Sequence, residues 1–97
     1  MIIKGSSIQE VNHRKDYRVG PLQDHIRHFV VRVTTPDNPF VPHQHEGWEF
    51  WYILEGEAVV TVGGEEHAVG AGDLIVLAPW TEHGLRAEAS ARWICFG

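Results

Sequence analysis

The residues best suited to chemistry stand together near the middle of the chain, in the segment PHQHEGWEF. One residue separates His43 from His45, and Glu49 follows after three more. Side chains two apart on a strand project from the same face, so the two imidazoles are expected to point together. Glu49 has the same parity, and a kink at Gly47 would turn its carboxylate towards them. This spacing predicts a cluster of ligand atoms.

A fourth candidate ligand, His83, comes later, in a segment expected to return alongside the first. Three imidazoles and one carboxylate suit one first-row divalent metal, namely iron, manganese, nickel, zinc, cobalt or copper. Four protein ligands in an octahedral shell would leave two positions for water, substrate or dioxygen. Burying an unpaired polar group costs roughly 2–7 kcal/mol, so we predict a metal here rather than a purely structural polar cluster.

The other histidines carry no such pattern. We expect His13, His25, His28 and His67 to be surface or hydrogen-bonded side chains. Cys95 is the single cysteine, which excludes an internal disulfide, and its apolar surroundings predict a buried structural thiol.

The elements that must position the cluster are strands. Helical periodicity is almost absent, and short β-branched and aromatic runs alternate with Gly, Pro, Asn and Asp. Gly63-Gly64 is a two-residue hairpin turn. Residues 2–3 and 8–11 could be edge strands, and 12–16 are expected to form an exposed turn. The main runs are 28–34, 48–54, 57–62, 65–69, 73–77, 83–87 and 92–96. Strands at this density predict an all-β sandwich or barrel, in one domain over residues 1–97.

Composition limits the function classes. A hydrophobic fraction of 43% and a charged fraction of 22% are typical of a folded globular chain. A net charge of −5 without a basic patch argues against nucleic acid or anionic membrane as partners. No apolar run approaches the ~20 residues that span a bilayer, and the start has no signal-peptide pattern. We therefore expect a soluble, cytoplasmic protein.

The candidate ligands, with the glycines and the proline around them, resemble the two motifs of the cupin superfamily. The first motif, commonly G-x5-H-x-H-x3,4-E-x6-G, covers about residues 37–56. The second, commonly G-x5-P-x-G-x2-H-x3-N, covers about residues 72–87, with one extra residue before the proline. The matching positions are His43, His45, Glu49 and Gly56 in the first motif, and Gly72, Pro79 and His83 in the second.

Three positions depart from the family pattern. Asp37 replaces the leading glycine, Trp80 the glycine between proline and histidine, and Arg86 the final asparagine. None of them removes a ligand, so the resemblance still implies a metal-binding cupin. Trp80 suggests a locally different turn and could reshape the mouth of the pocket.

The resemblance implies a double-stranded β-helix, or jelly-roll barrel, and often a homodimer. It also implies a small-molecule ligand and, for the function, a metal-dependent isomerase, lyase or dioxygenase. The alternative is a non-catalytic module that binds or senses a sugar or organic acid. Trp48 and Trp80 are candidate substrate-binding residues because they flank the ligands in sequence. The facing of Arg32 is not decided by the sequence, and we assign it no role.

Overall fold

The computed structural model describes residues 1–22 and 24–97. In these ranges eight antiparallel strands curl around a common interior, and no α-helix is present. None of the helices there is long and apolar enough to cross a membrane. Single turns of 3-10 helix occur at Gly5–Ser7 and Gly20–Leu22. The strands are β1 (Arg14–Asp16), β2 (Phe29–Thr34), β3 (Phe40–His43), β4 (Glu49–Val62), β5 (Glu65–Gly70), β6 (Leu74–Leu77), β7 (His83–Arg86) and β8 (Ala91–Phe96). The predicted all-β architecture is confirmed.

The long strand β4 joins the two halves of the curled sheet. Its first half pairs with β6 and β8, and its second half pairs with β5 and β7. A register shift between Ile53 and Glu55 marks a bulge, after which the inward-facing positions change from odd to even numbers. The sequence predicted a break at residues 55–56; instead the strand continues and bends there.

Gly56 makes this bend possible. Its φ of +84° lies in the left-handed region, and a Cβ at this position would clash with the Ser90 carbonyl oxygen. A residue with a side chain would therefore meet both backbone strain and a steric clash.

Aromatic rings fill the interior next to the predicted ligands. Trp51 and Trp93 are fully buried, with ring centroids 4.7 Å apart. Phe40 packs edge-on against both, at 5.5 and 5.3 Å. These rings form a rigid wall, and the indole N–H of Trp93 donates a hydrogen bond to Thr34 Oγ1 at 3.0 Å.

The amino-terminal segment differs from expectation. Residues 2–3 and 8–11 do not form edge strands, although Val11 makes an isolated bridge to Arg14. Between those two, Asn12 and His13 take φ of +52° and +62°, as in a tight hairpin turn. The turn leads directly into β1, which pairs with β2. Residues 14–16 (RKD) have no apolar side chain, so the sequence showed no hydrophobic alternation that would predict this short strand.

Candidate metal centre

The four predicted ligand residues lie together at one place in the fold. His43 ends β3 and is directly paired with His83 at the start of β7, while Glu49 begins β4. His45 lies in the connection between β3 and β4, where Gly47 takes a φ of +91° and turns the chain. One ligand atom from each of the four residues lies within 4.8 Å of those of the other three.

Each imidazole of the cluster is oriented by a backbone carbonyl. The Nδ1 atoms of His43, His45 and His83 lie 3.0, 3.0 and 2.8 Å from the carbonyl oxygens of Val41, Glu46 and Thr81. A carbonyl oxygen can only accept, so Nδ1 carries the proton and donates it. In a neutral ring this leaves Nε2 with a free lone pair, the form in which histidine binds a metal.

The contact between His83 and Glu49 shows why a cation fits here. Nε2 of His83 lies 3.1 Å from Glu49 Oε2, yet this buried nitrogen makes no hydrogen bond in the described part of the chain. Burial lowers the pKa of His83, which keeps the ring neutral. A lone pair thus faces a carboxylate oxygen without a proton between them, an arrangement that a bound cation would stabilise.

The Glu49 carboxylate is buried and held from three sides. Its Oε2 accepts a hydrogen bond from Trp51 Nε1 at 3.1 Å. Its Oε1 accepts one from the Cys95 thiol at 3.0 Å and pairs with His28 Nε2 at 3.0 Å. Burial alone would raise the pKa of Glu49, but the hydrogen bonds from His28 and Cys95 outweigh burial and lower it to about 2.

The sequence did not reveal that two residues far apart in the chain would orient this ligand. His28 was expected to be a surface or hydrogen-bonded histidine and Cys95 a buried thiol; the structure shows a hydrogen-bonded histidine and a buried thiol, but their shared partner was not foreseen. Burial and the neighbouring carboxylate raise the pKa of the Cys95 thiol, so it remains protonated and donates. These contacts hold Oε1 while Oε2 faces the imidazoles of His45 and His83, at 3.5 and 3.1 Å.

The proposed aromatic residues lie at the surface. Trp48 and Trp80 are 57% and 62% exposed. Trp80 has a φ of +62°, a left-handed conformation unusual for a bulky residue, and its N–H donates to the His45 carbonyl oxygen at 2.8 Å. The backbone of Trp80 is therefore hydrogen-bonded to the backbone of the candidate ligand His45.

The side chains of the cluster differ in exposure, and this indicates where a ligand would approach. Glu49 and His83 are buried, whereas His43 is exposed and the His45 side chain is 37% exposed. Open coordination positions would therefore face the His43 and His45 side. A cavity of about 720 Å³ lies elsewhere, along residues 56–59 and 86–90, and none of the four ligands lines it.

Comparison with known proteins supports the same fold. Over 62 residues, 64% of this chain, it is 32% identical to dimethylsulfoniopropionate lyase DddW of Ruegeria pomeroyi. That match covers 41% of the relative, so the chain spans less than half of its length. A predicted oxalate decarboxylase from Thermotoga maritima superposes with a TM-score of 0.83 at 20% identity, covering 99% of this chain and 96% of the other. An RmlC-like cupin from Shewanella frigidimarina gives 0.79 at 19% identity, covering 96% and 85%.

Both structural neighbours are too distant in sequence to show more than the fold, which confirms the predicted jelly-roll barrel. The Cupin domain family matches residues 29–97 of this sequence. That range contains all four candidate ligands and seven of the eight strands, from β2 to β8. This chain belongs to the cupin family.

Proposed function

We propose that this chain is a metal-dependent enzyme that acts on a small molecule. The metal ligands would be His43, His45, Glu49 and His83. The observation that carries the proposal is the convergence of three Nε2 atoms with free lone pairs on one buried, ionised carboxylate. Neighbouring ligands about 2.1 Å from a metal lie about 3 Å apart, which agrees with the 3.1 Å between His83 Nε2 and Glu49 Oε2.

A bound divalent metal would supply Lewis acidity, polarising an oxygen of the substrate. The protein's own contribution is orientation. The carbonyl groups that accept from Nδ1 hold each ring, and the contacts of Glu49 Oε1 hold the carboxylate. Such outer contacts commonly change metal affinity or activity by 10- to 100-fold when removed.

Among the reaction types that the sequence left open, a lyase is the one to test first. The relative with 32% identity is named as a lyase of dimethylsulfoniopropionate. The metal-reconstituted protein would be incubated with that compound, and its loss followed by proton NMR. Enzyme-dependent loss that requires the metal and is absent in His83→Ala would support a lyase; no loss would direct the search to isomerase and dioxygenase substrates.

The alternative is a non-catalytic module that binds a sugar or an organic acid. One observation favours it: the acid–base groups that contact Glu49 outside the ligand set, His28 and Cys95, are already engaged in hydrogen bonds with it. Neither of these two groups is therefore free to act as a general base. Binding without turnover, measured by calorimetry on the metal-loaded protein, would support this alternative.

Metal binding itself is tested by elemental analysis. The untagged protein would be stripped with a chelator and reconstituted separately with iron(II), manganese, cobalt, nickel, copper and zinc. We expect about one equivalent per chain and a higher melting temperature with at least one of these ions. The absence of bound metal under every condition would refute the proposed ligand set.

We also propose that the protein forms a homodimer through the outer face of β4 and β6. Tyr52 lies directly opposite Leu74, and Phe50 opposite Val76, so these side chains project together. Leu74 and Val76 are 57% and 51% exposed, which is unusual for neighbouring apolar residues on one sheet face. A second copy would cover this face by two-fold symmetry. Light scattering coupled to size exclusion would measure the mass.

A further inference from the structure

Arg32 brings a positive charge to the inner face of the barrel. It lies directly opposite Trp93 in the pairing of β2 with β8, and paired residues project from the same face of a sheet. Because Trp93 is fully buried, Arg32 also extends inwards. Its guanidinium carbon lies 4.7 Å from the Phe40 ring centroid and 5.9 Å from that of Trp93. Stacking on these rings leaves the in-plane N–H groups to find other partners.

In the described residues no carboxylate contacts this guanidinium directly, and Glu49 acts on its charge only from beyond contact distance. Within residues 1–22 and 24–97 no carboxylate oxygen lies within 4.0 Å of it, and its buried Nε has no hydrogen-bond partner. Its direct neighbour across β1 and β2 is a second arginine, Arg14, which is paired with Asp16 at 3.1 Å. Like charges placed directly opposite each other destabilise a sheet, so an anion would relieve both the repulsion and the unpaired charge.

A cavity of about 80 Å³ adjoins Arg32. Phe40, His13 and Asn38 also line it, and no acidic residue does. The Asn38 amide is held in place by donating to the Val33 carbonyl oxygen at 3.2 Å. The volume is sufficient for one carboxylate group or a small inorganic anion, but it is too small for a sugar.

We propose that Arg32 and this cavity form a binding site for a small carboxylate, and that none of the candidate metal ligands takes part in it. Phe40 lies between the two sites, with its ring contacting the Arg32 guanidinium and, at a centroid distance of 4.8 Å, the His43 imidazole. None of the four candidate metal ligands lines the cavity, so a bound anion would not take the place of a metal ligand.

The test is an NMR titration of chelator-treated, nitrogen-15-labelled protein with sodium acetate at constant ionic strength set by chloride. We expect a saturable shift of the Arg32 Nε–H resonance. The resonance of Arg92, an exposed arginine of β8 that lies 3.8 Å from Glu55 of β4, should not shift. A parallel titration uses inorganic phosphate. No saturation with acetate, saturation with phosphate alone, or a drift that Arg92 shares would overturn the proposal.

A second measurement separates ligand binding from packing. Acetate should raise the melting temperature of the wild type but not of Arg32→Met, which keeps an unbranched apolar stem against Phe40 and Trp93. If Arg32 only packs against the aromatic rings, acetate will affect both proteins equally and the proposal fails. Should Arg32→Met not fold, Arg32→Gln replaces it, and the wild-type titration decides independently. Because the chelated protein is used, a failed metal assay leaves this result unaffected.

Discussion

The acid sensitivity of the metal-free protein should be controlled by Glu49. The folded structure lowers the pKa of this carboxyl from an ordinary 4.5 to about 2. Since the folded pKa lies below the unfolded one, ionised Glu49 stabilises the fold above about pH 4.5, and that stabilisation is lost as the pH falls towards 2. Replacing the carboxylate by the neutral amide of Glu49→Gln removes the titration while preserving the shape.

The size of the effect follows from the two pKa values. A shift of about 2.5 units corresponds to about 3 kcal/mol of stability at neutral pH. At about pH 3 the unfolded carboxyl is almost fully protonated and the folded one is not. Between about pH 6 and pH 3 the free energy of unfolding therefore falls by about 2 kcal/mol. His83 acts in the same direction, because its burial-lowered pKa disfavours the protonated ring in the folded state. The contribution of Glu49 is therefore measured as the difference in lost unfolding free energy between the wild type and Glu49→Gln.

The assay is urea unfolding of chelator-treated protein, followed by tryptophan fluorescence at several pH values between about 6 and 3. We expect the wild type to lose about 2 kcal/mol more than Glu49→Gln over this range. Glu55→Gln, a change to an exposed carboxylate on the same strand, serves as the control and should follow the wild type. Equal losses for the wild type and Glu49→Gln would show that the lowered pKa of Glu49 has been wrongly derived from its hydrogen bonds.

Four further changes test other parts of the structure. His45→Ala should reduce bound metal below one equivalent and remove the metal-dependent rise in melting temperature, whereas exposed His67→Ala should change neither; stoichiometric metal in the first variant would contradict the ligand assignment. Trp80→Gly should retain metal and relieve a left-handed backbone, leaving the free energy of unfolding unchanged or higher by about 1 kcal/mol; loss of metal would show that the turn requires the tryptophan. Gly56→Ala should destabilise the fold by about 2–4 kcal/mol in urea unfolding, and a loss below about 1 kcal/mol would mean that the bend relaxes easily. Leu74→Lys should halve the mass measured by light scattering if the outer face of β4 and β6 is the dimer interface; an unchanged dimer would place the interface elsewhere.

Much of the candidate site was predictable because its signals are local. The alternation of His43 and His45, the parity of Glu49 and the turn at Gly47 depend on a few neighbouring residues, and strand geometry converts that spacing into direction. His83 was predicted from its place on a returning strand and in the second motif, but no local pattern indicates which distant strand pairs with β3. That these four residues bind a metal stays a prediction until the metal is measured.

The sequence by itself determined that the chain forms short antiparallel strands, where most of the turns fall, and which residues could bind a metal. Tertiary structure decided which side chains surround Glu49, because His28 and Cys95 come from strand ends 67 residues apart and meet only through the pairing of β2 with β8. It also decided that Arg32 faces inwards, because the pairing of β2 with β8 places it opposite Trp93 although the odd positions Phe29, Val31 and Val33 form the more apolar face. Burial and long-range pairing depend on the whole fold, and no window of sequence contains them.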